Sequence, residues 1–302
     1  MSVQLPPAFL AYAARDADWA DWLARLPRLV TQVLTDWELT ADGPVMHGEV
    51  AVVVPVRTQA GDHAVLKVGF PHAEAEHEHL ALRAWAGAGA VRLLQADPHR
   101  SALLLEPADP GHDLHGLPVV EACEVVAGLY AGLHRSPLPQ LVRLSQHAAR
   151  WADELSVLRA AQTVPRRLVD QAIGLARGFA VDPATDSALI HSDLHYANVL
   201  AAEREPWLVI DPKPLAGDPA YEVAPLLWNR WPEAVVTGNL RAAVLERMFT
   251  VVDVAELDED RVRAWVVVRE LVNVLDAVRN PTTMPEPGWV TRATTIAKAV
   301  QR

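Results

Sequence analysis

"HSDLHYANVL", His191 to Leu200, places two histidines, an aspartate and an asparagine within one short stretch. Three readings compete for it. As a polar turn, Asp193 and Asn198 would only bond nearby backbone groups, as Asx residues commonly do. As a metal cage, His191, Asp193 and His195 alternate like hydrolase ligands, but such cages recruit further histidines and none follows His195. As a phosphoryl-transfer loop, the stretch supplies a carboxylate for an acceptor hydroxyl and oxygen donors for Mg²⁺. Asp193 and Asn198 have the separation of Asp and Asn in the catalytic loop H-R-D-x-x-x-x-N.

Outward from the loop, "WLVIDP" (207–212) is an apolar strand closing on Asp211, a second hard-oxygen ligand of the kind Mg²⁺ prefers. Upstream, Lys67 stands in the alternating run "HAVLKVGF" and points away from the Leu66 face. Lysine occurs only at Lys67, Lys213 and Lys298, so each ammonium departs from a strong arginine habit. A compact ammonium suits a phosphate point contact, which places Lys67 at the α/β-phosphates. In "AEAEHEHLALRAWAG", Glu74, Glu78 and Leu82 share one helical stripe. Glu78 is the expected partner of Lys67, with Glu74 competing for the same place. The turn "DGPVMHGE" carries Gly43 and Gly48 where a phosphate-covering loop would sit. It has neither the full G-x-G-x-x-G pattern nor the Gly-Lys-Ser/Thr ending of a Walker A loop.

The first third reads as strands plus one helix. "DWELT", "EVAVVVPVRT", "HAVLKVGF", "VRLLQAD" and "SALLLE" form an expected five-stranded antiparallel sheet. "EPADPGHDLHGLP", rich in Pro, Gly and Asp, reads as a linker. Beyond it the chain is mostly helical, through amphipathic runs such as "SQHAARWADELSVLRAA" and the segment Asp260 to Val278. The expected fold class is α+β and bilobal. Residues 1–105 form a small antiparallel-sheet lobe with one helix, on the phosphate side of a nucleotide. Residues 106–117 form a hinge, and 118–302 a larger helical lobe with the catalytic loop and acceptor site.

Composition narrows the partners. Acidic residues number 38 against 27 basic ones, a formal charge of −11. That argues against nucleic-acid binding and favours a cationic small molecule. No apolar run approaches the roughly 20 residues of a membrane span. The start "MSVQLPPAFLAYAARD" lacks a signal peptide's basic region and apolar core. The single Cys123 excludes an intrachain disulfide framework. A cytoplasmic protein is expected.

With these residues in place, the chain resembles the aminoglycoside phosphotransferase family, which shares its fold with protein kinases. The resemblance covers nearly the whole sequence and is carried by "VLKVG", "EHEHLALRAW", "LLLEPAD", "HSDLHYANVL" and "VIDPKPLAGDPAYEVAPLLWNR". It is similar to the streptomycin 6-phosphotransferase and hydroxyurea phosphotransferase branch, in which "IDPKP" and "GDPAY" are characteristic. The resemblance implies an ATP-dependent kinase moving the γ-phosphoryl group to a hydroxyl of an aminoglycoside such as streptomycin, or of hydroxyurea. It implies Asp193 as base, Asn198 and Asp211 as Mg²⁺ ligands, and Lys67 paired with Glu78 at the phosphates. Backbone groups around Glu106 and Ala108 would hold the adenine, and His191 and Glu222 would brace the loop. Lys213 would reach a phosphate or the acceptor, or be a surface lysine.

Two departures accompany the resemblance. Ser192 replaces the usual glycine of the loop, and Glu222 replaces a common aspartate after "GDPAY". A cationic acceptor would need facing carboxylates, for which Asp153, Glu154 and Glu270 are the candidates. Two other classes stay open. One is a zinc-type hydrolase on His191, Asp193 and His195; the other is a catalytically silent nucleotide-binding module, suggested by Ser192 and Glu222.

Overall fold

The computed structural model describes residues 4–161, 164–280 and 288–302. The chain divides into two compact units, Met1–Asp109 with Ala202–Leu208, and Pro110–Ala201 with Val209–Arg302. No described helix is long and apolar enough to cross a membrane.

The first unit opens with helices α1 (Pro7–Leu10) and α2 (Ala17–Asp36). Asp16 caps α2 by accepting the Trp19 N–H at 2.9 Å, satisfying one of the donors a helix start leaves orphaned. Trp19, Trp22, Leu23, Leu26, Val30 and Val33 recur at helical spacing and are all buried. This long helix has no counterpart among the expected elements; Pro27, a residue type that commonly ends a helix, lies in its middle.

The strands are β1 (Thr40–Ala41), β2 (Met46–His47), β3 (Ala51–Arg57) and β4 (His63–Gly69). After helix α3 (Glu78–Trp85) come β5 (Leu93–Asp97) and β6 (Ala102–Leu105). They form a six-stranded sheet in the order β1–β3–β4–β6–β5, with β2 also paired to β3. The strand beyond the expected five is β2, inside the glycine-bearing turn; of "DWELT" only Thr40 enters a strand, Asp36 ends α2, and a turn lies between them.

Alternation decides the faces. Val52, Val54 and Val56 of β3 and Ala64, Leu66 and Val68 of β4 cluster with the apolar stripe of α2. Each such burial stabilises by roughly 1.5–3 kcal/mol. Lys67 stands on the other face, in register with Val53 and Leu103. Pro55 sits in β3 between the stretches paired with β1 and with β2, where no neighbour needs an N–H from it.

The second unit begins within β7 (Asp109–Asp113), inside the stretch that reads as a linker. Helices α4 (Val119–Leu133), α5 (Leu144–Glu154), α6 (Leu158–Ala161) and α7 (Arg166–Val181) follow. Short strands β8 (Ala188–Ile190), β9 (Val199–Ala201) and β11 (Leu215–Gly217) come next, with β10 (Trp207–Val209) between the last two, its first two residues belonging to the first unit. Helices α8 (Ala224–Trp228), α9 (Trp231–Val236), α10 (Leu240–Ala255), α11 (Glu259–Arg279) and α12 (Trp289–Ala299) complete it. Helix α11 packs on α7 and α12. Its Trp265 stacks on Phe179 of α7 at 3.7 Å between ring centroids.

Strands β8 and β11 pair antiparallel, Leu215 opposite Ile190 and Gly217 opposite Ala188. Here glycine is required by space: a Cβ on Gly217 would lie 2.3 Å from Ile190 Cδ1. Because Ile190 leads directly into the 191–198 loop, that clash would be felt in the loop. Gly217→Ala is expected to destabilise by about 1–3 kcal/mol, the usual cost of overpacking. Thermal unfolding would show a lowered midpoint; an unchanged one would mean the strand pair gives way freely.

Candidate active site

The 191–198 loop runs from β8 to β9, and Asp211 follows β10 by two residues. Four hydrogen bonds lace the two segments together. His191 Nε2 bonds the Ile210 carbonyl at 2.9 Å. The Lys213 N–H donates to the His191 carbonyl at 3.0 Å, and the Ile210 N–H to the Asn198 carbonyl at 3.0 Å. Ser192 Oγ donates to the Lys213 carbonyl at 2.5 Å. Asp211 therefore sits between anchored residues, with φ at 56°, a left-handed conformation rare for a side chain other than glycine.

His191 is fully buried, and its partners define its form. A carbonyl only accepts, so Nε2 carries the proton; Nδ1 accepts the Asp193 N–H at 3.2 Å. Both ring nitrogens are thereby committed to holding the loop. Asn198 donates its Nδ2 to the Asp193 carbonyl at 2.9 Å and approaches His195 Nε2 at 3.3 Å. Its Oδ1 accepts no hydrogen bond among the described residues, which leaves an oxygen for a ligand.

Asp193 lies beside a cation. Lys213 Nζ is 2.7 Å from Asp193 Oδ2. Burial pushes the Asp193 carboxyl up, but the Lys213 ammonium, with His195 and Arg269 behind it, holds it below the ordinary carboxylate range. Burial holds the neighbouring His195 below the usual histidine value, so that ring stays neutral at neutral pH.

A buried brace supports the loop from behind. Ser192 has φ at 64°, adopting the left-handed conformation that glycine takes most easily. Its N–H donates to Glu222 Oε1 at 2.7 Å, and Glu222 Oε2 bonds His134 Nε2 at 2.6 Å. Burial alone would raise the Glu222 carboxyl; the His134 ring and the Ser192 N–H hold it below the ordinary value. Glu222 itself lies in a 3₁₀ turn, Pro219–Val223, capped by Asp218, which accepts the Ala220 N–H. Asp218 is tied in turn to Arg261 and Trp265 of α11, each at 2.5 Å. Arg269 of α11 donates to the Ser192 carbonyl at 2.7 Å and lies over the Tyr221 ring. Sequence reasoning did not assign His134, Asp218 or Arg269; only Asp218, inside "GDPAY", carries a motif-level signal.

In the first unit, Lys67 Nζ donates to both oxygens of Glu78 at 2.7 Å. The helical stripe expected to include Glu74 does not form: α3 starts at Glu78, and Glu74 lies exposed in a 3₁₀ turn. Glu78, at the N-terminus of α3, also gains from the helix dipole. The Glu106 side chain is committed to Arg204, at 2.7 and 3.1 Å, and to the Arg92 N–H. The Glu106 N–H donates to the Arg92 carbonyl, and Pro107 has none to give. Among the described residues, no backbone hydrogen bond engages the Glu106 carbonyl or the Ala108 N–H.

Of the acidic candidates for an acceptor, Asp153 is exposed on α5, and Glu154 pairs with Arg279 at 3.0 Å. Glu270 is buried on α11, and its Oε1 has no hydrogen-bond partner among the described residues.

The donor set fits Mg²⁺: one amide oxygen and one carboxylate, hard ligands that leave positions for phosphate oxygens and water. It does not fit the hydrolase alternative. Both nitrogens of His191 are engaged, and no group of three His, Cys, Asp or Glu among the described residues is placed to hold a metal.

A β-sheet unit with a lysine–glutamate pair and a helical unit with an Asp-x-x-x-x-Asn loop beside a strand-borne aspartate define a class: an ATP-dependent phosphotransferase of protein-kinase-like fold, with a small-molecule hydroxyl as acceptor. A family model described as "Aminoglycoside/hydroxyurea antibiotic resistance kinase" matches residues 36–282, and the chain belongs to that family. It is 38% identical over 297 residues to a streptomycin 6-kinase of Streptomyces glaucescens, covering 96% of each. It is 40% identical over 261 residues to a hydroxyurea phosphotransferase of Kitasatospora aureofaciens, covering 84% of this chain and 74% of that protein. Among solved structures it is similar to choline kinase LicA from Streptococcus pneumoniae, with a TM-score of 0.60 at 13% identity, covering 91% of this chain and 99% of that one. A thermostable mutant of the aminoglycoside phosphotransferase APH(4)-Ia, solved with ADP and hygromycin B, gives a TM-score of 0.57 at 18% identity, covering 89% and 97%.

Burial raises the Glu270 carboxyl to about 8, against the nearby Arg269 and Arg292. A carboxyl that binds its proton more tightly when folded loses stability as pH rises from its unfolded value toward the folded one. Glu270→Gln is therefore expected to be more stable than the parent by a margin that grows between about pH 5 and about pH 8. The growth is at most about 1.4 kcal/mol per pH unit. Thermal unfolding curves that shift in parallel across this window would contradict it.

Proposed function

We propose that the chain transfers the γ-phosphoryl group of ATP to a hydroxyl of a streptomycin-like aminoglycoside. The observation that carries the reading is the laced loop pair, with Asp193, Asn198 and Asp211 on segments joined by four hydrogen bonds. The two acids and the amide meet the needs of phosphoryl transfer, a carboxylate for the acceptor and oxygen ligands for a cation. In this reading Asn198 Oδ1 and the Asp211 carboxylate hold Mg²⁺, which when bound offsets the charge of the phosphates. Lys67, held by Glu78, contacts the α/β-phosphates, and the Glu106 carbonyl and Ala108 N–H receive the adenine. His191 and Glu222 brace the loop. Residues up to Leu105 then serve the nucleotide, 106–117 form the hinge, and residues from Pro118 onward serve chemistry and acceptor.

Asp193 orients the acceptor hydroxyl and takes its proton. Its lowered proton affinity makes it a modest base, consistent with a loose transition state in which proton transfer comes late. Electrostatic stabilisation then supplies most of the rate, with the base worth about 10²–10⁴-fold.

For the acceptor, the streptomycin 6-kinase relative spans 96% of this chain, and a charge of −11 favours a cationic ligand. Asp153, Glu154 and Glu270 are the carboxylates offered for it. Asp153, exposed on α5, is the one open to solvent; Glu154 already pairs with Arg279, and Glu270 is buried and keeps its proton up to about pH 8. Hydroxyurea is the second reading, supported by the 40% identical relative that phosphorylates it; being neutral, it would need no such carboxylate.

A nucleotide-consumption screen against streptomycin, other aminoglycosides, hydroxyurea and simple sugars identifies the acceptor. Streptomycin is expected to give turnover; no turnover with any of them would favour the silent nucleotide-binding module. Asp193→Asn is expected to lower turnover by at least about 10²-fold while nucleotide affinity stays near the parent value. A fully active variant would remove Asp193 as the base.

A further inference from the structure

The base of this site already carries a cation, and the reaction gives that cation something to do. Resting on the reading of Asp193 as the base, we propose that Lys213 is a catalytic residue whose ammonium bridges Asp193 Oδ2 and the phosphoryl group in transit. Three observations support it.

The first is placement. Lys213 Nζ lies 2.7 Å from Asp193 Oδ2, and no described residue donates to Oδ1. One carboxylate oxygen is thus held while the other is open to an acceptor hydroxyl. The second is rigidity at the root of the side chain. The Lys213 N–H donates to the His191 carbonyl, and its carbonyl accepts the Ser192 hydroxyl, so its backbone is pinned to the two residues before Asp193. The side chain remains about one-third exposed, with 34% of its surface open to a ligand. The third is residue type. Among 27 Lys+Arg residues only three are lysine. An ammonium is a point charge with three donors, able to serve a carboxylate and a phosphoryl oxygen together. Arginine's planar fork would take both oxygens of Asp193 and close Oδ1 to the acceptor.

In the step itself, the acceptor oxygen bonds to the γ-phosphorus as the bond from that phosphorus to the β,γ-bridging oxygen breaks. The electron pair of the broken bond stays on the ADP leaving group. The hydroxyl proton passes to Asp193 Oδ1, turning the carboxylate into a carboxylic acid. Lys213 keeps its protons throughout and offsets charge on the equatorial phosphoryl oxygens. A hydroxyl bonded to Oδ1 and about 3–3.5 Å from phosphorus brings those oxygens within reach of an ammonium resting on Oδ2.

The test uses the full chain with whichever acceptor turns over, and the basal hydrolysis of ATP if none does. Lys213→Ala, and Lys213→Met to retain the aliphatic stem, are expected to lower kcat by about 10²–10³-fold, the scale for one electrostatic donor. The KM for the acceptor and the calorimetric affinity for ATP should stay within about threefold of the parent. Lys213→Arg should remain impaired. Lys213→Cys, aminoethylated to restore an ammonium at nearly the lysine length, should regain activity; the native Cys123 is buried and spared. Four results would overturn the proposal: undiminished kcat in the Ala and Met variants, an effect confined to acceptor KM, rescue by arginine as complete as by aminoethylation, or no rescue by aminoethylation. If Asp193→Asn proved fully active while Lys213→Ala did not, the base assignment would fall and the lysine would stand as a charge stabiliser.

Discussion

The buried imidazole of His191 is the contact on which the site's geometry depends. It donates to the Ile210 carbonyl and accepts the Asp193 N–H, joining the segment that carries one acid to the segment that carries the other. A protonated ring could not accept that N–H. A ring ligating a metal would give up one of the two bonds. The residue that looks most like a metal ligand thus has both ring nitrogens engaged within the fold, and the oxygens on the segments it joins are those our proposal gives to a cation.

Behind that contact lies a sequence of buried polar groups, each answering the next. Glu222 receives the Ser192 N–H and His134; Asp218 caps the turn that holds Glu222; Arg261 and Trp265 hold Asp218. Low dielectric makes such networks strong when complete and costly when broken, about 3–5 kcal/mol for stranding one charge. This explains how Ser192 keeps a backbone conformation that costs a side-chain-bearing residue energy. It also accommodates the extra methylene of Glu222, since both its oxygens find partners at 2.7 Å or less.

Legibility followed the range of the interactions. The loop and the strand-borne Asp211 were readable because their spacing in the chain is the spacing the chemistry needs. The rarity of lysine drew attention to Lys67, which the structure pairs with Glu78, while the other candidate, Glu74, lies in the 3₁₀ turn before the helix. Periodicity could not separate those two, because a 3₁₀ turn replaces the expected first turns of the helix. The long helix α2, absent from the expected elements, carries one proline, whose local cost is outweighed by burying Trp19, Trp22 and Val30 against the sheet. Strand β2 has two residues, too few for any pattern. His134, Arg261 and Arg269 reach partners 88, 43 and 77 residues away, separations at which composition and spacing carry no signal.

The Arg204 contact bears on how the protein could be taken apart. The short segment Ala202–Leu208 belongs with the β-sheet unit, although nearly a hundred residues separate it from the rest of that unit. Its guanidinium grips Glu106 with two nitrogens and reaches the Ala90 carbonyl. A fragment ending after Asp109 would lose that clasp and leave a mostly buried acid with only the Arg92 N–H and charge beside it. Splitting the gene at the apparent junction would thus not release a self-sufficient module. Complementation from two pieces would instead require the larger one to lend its inserted strip back to the smaller.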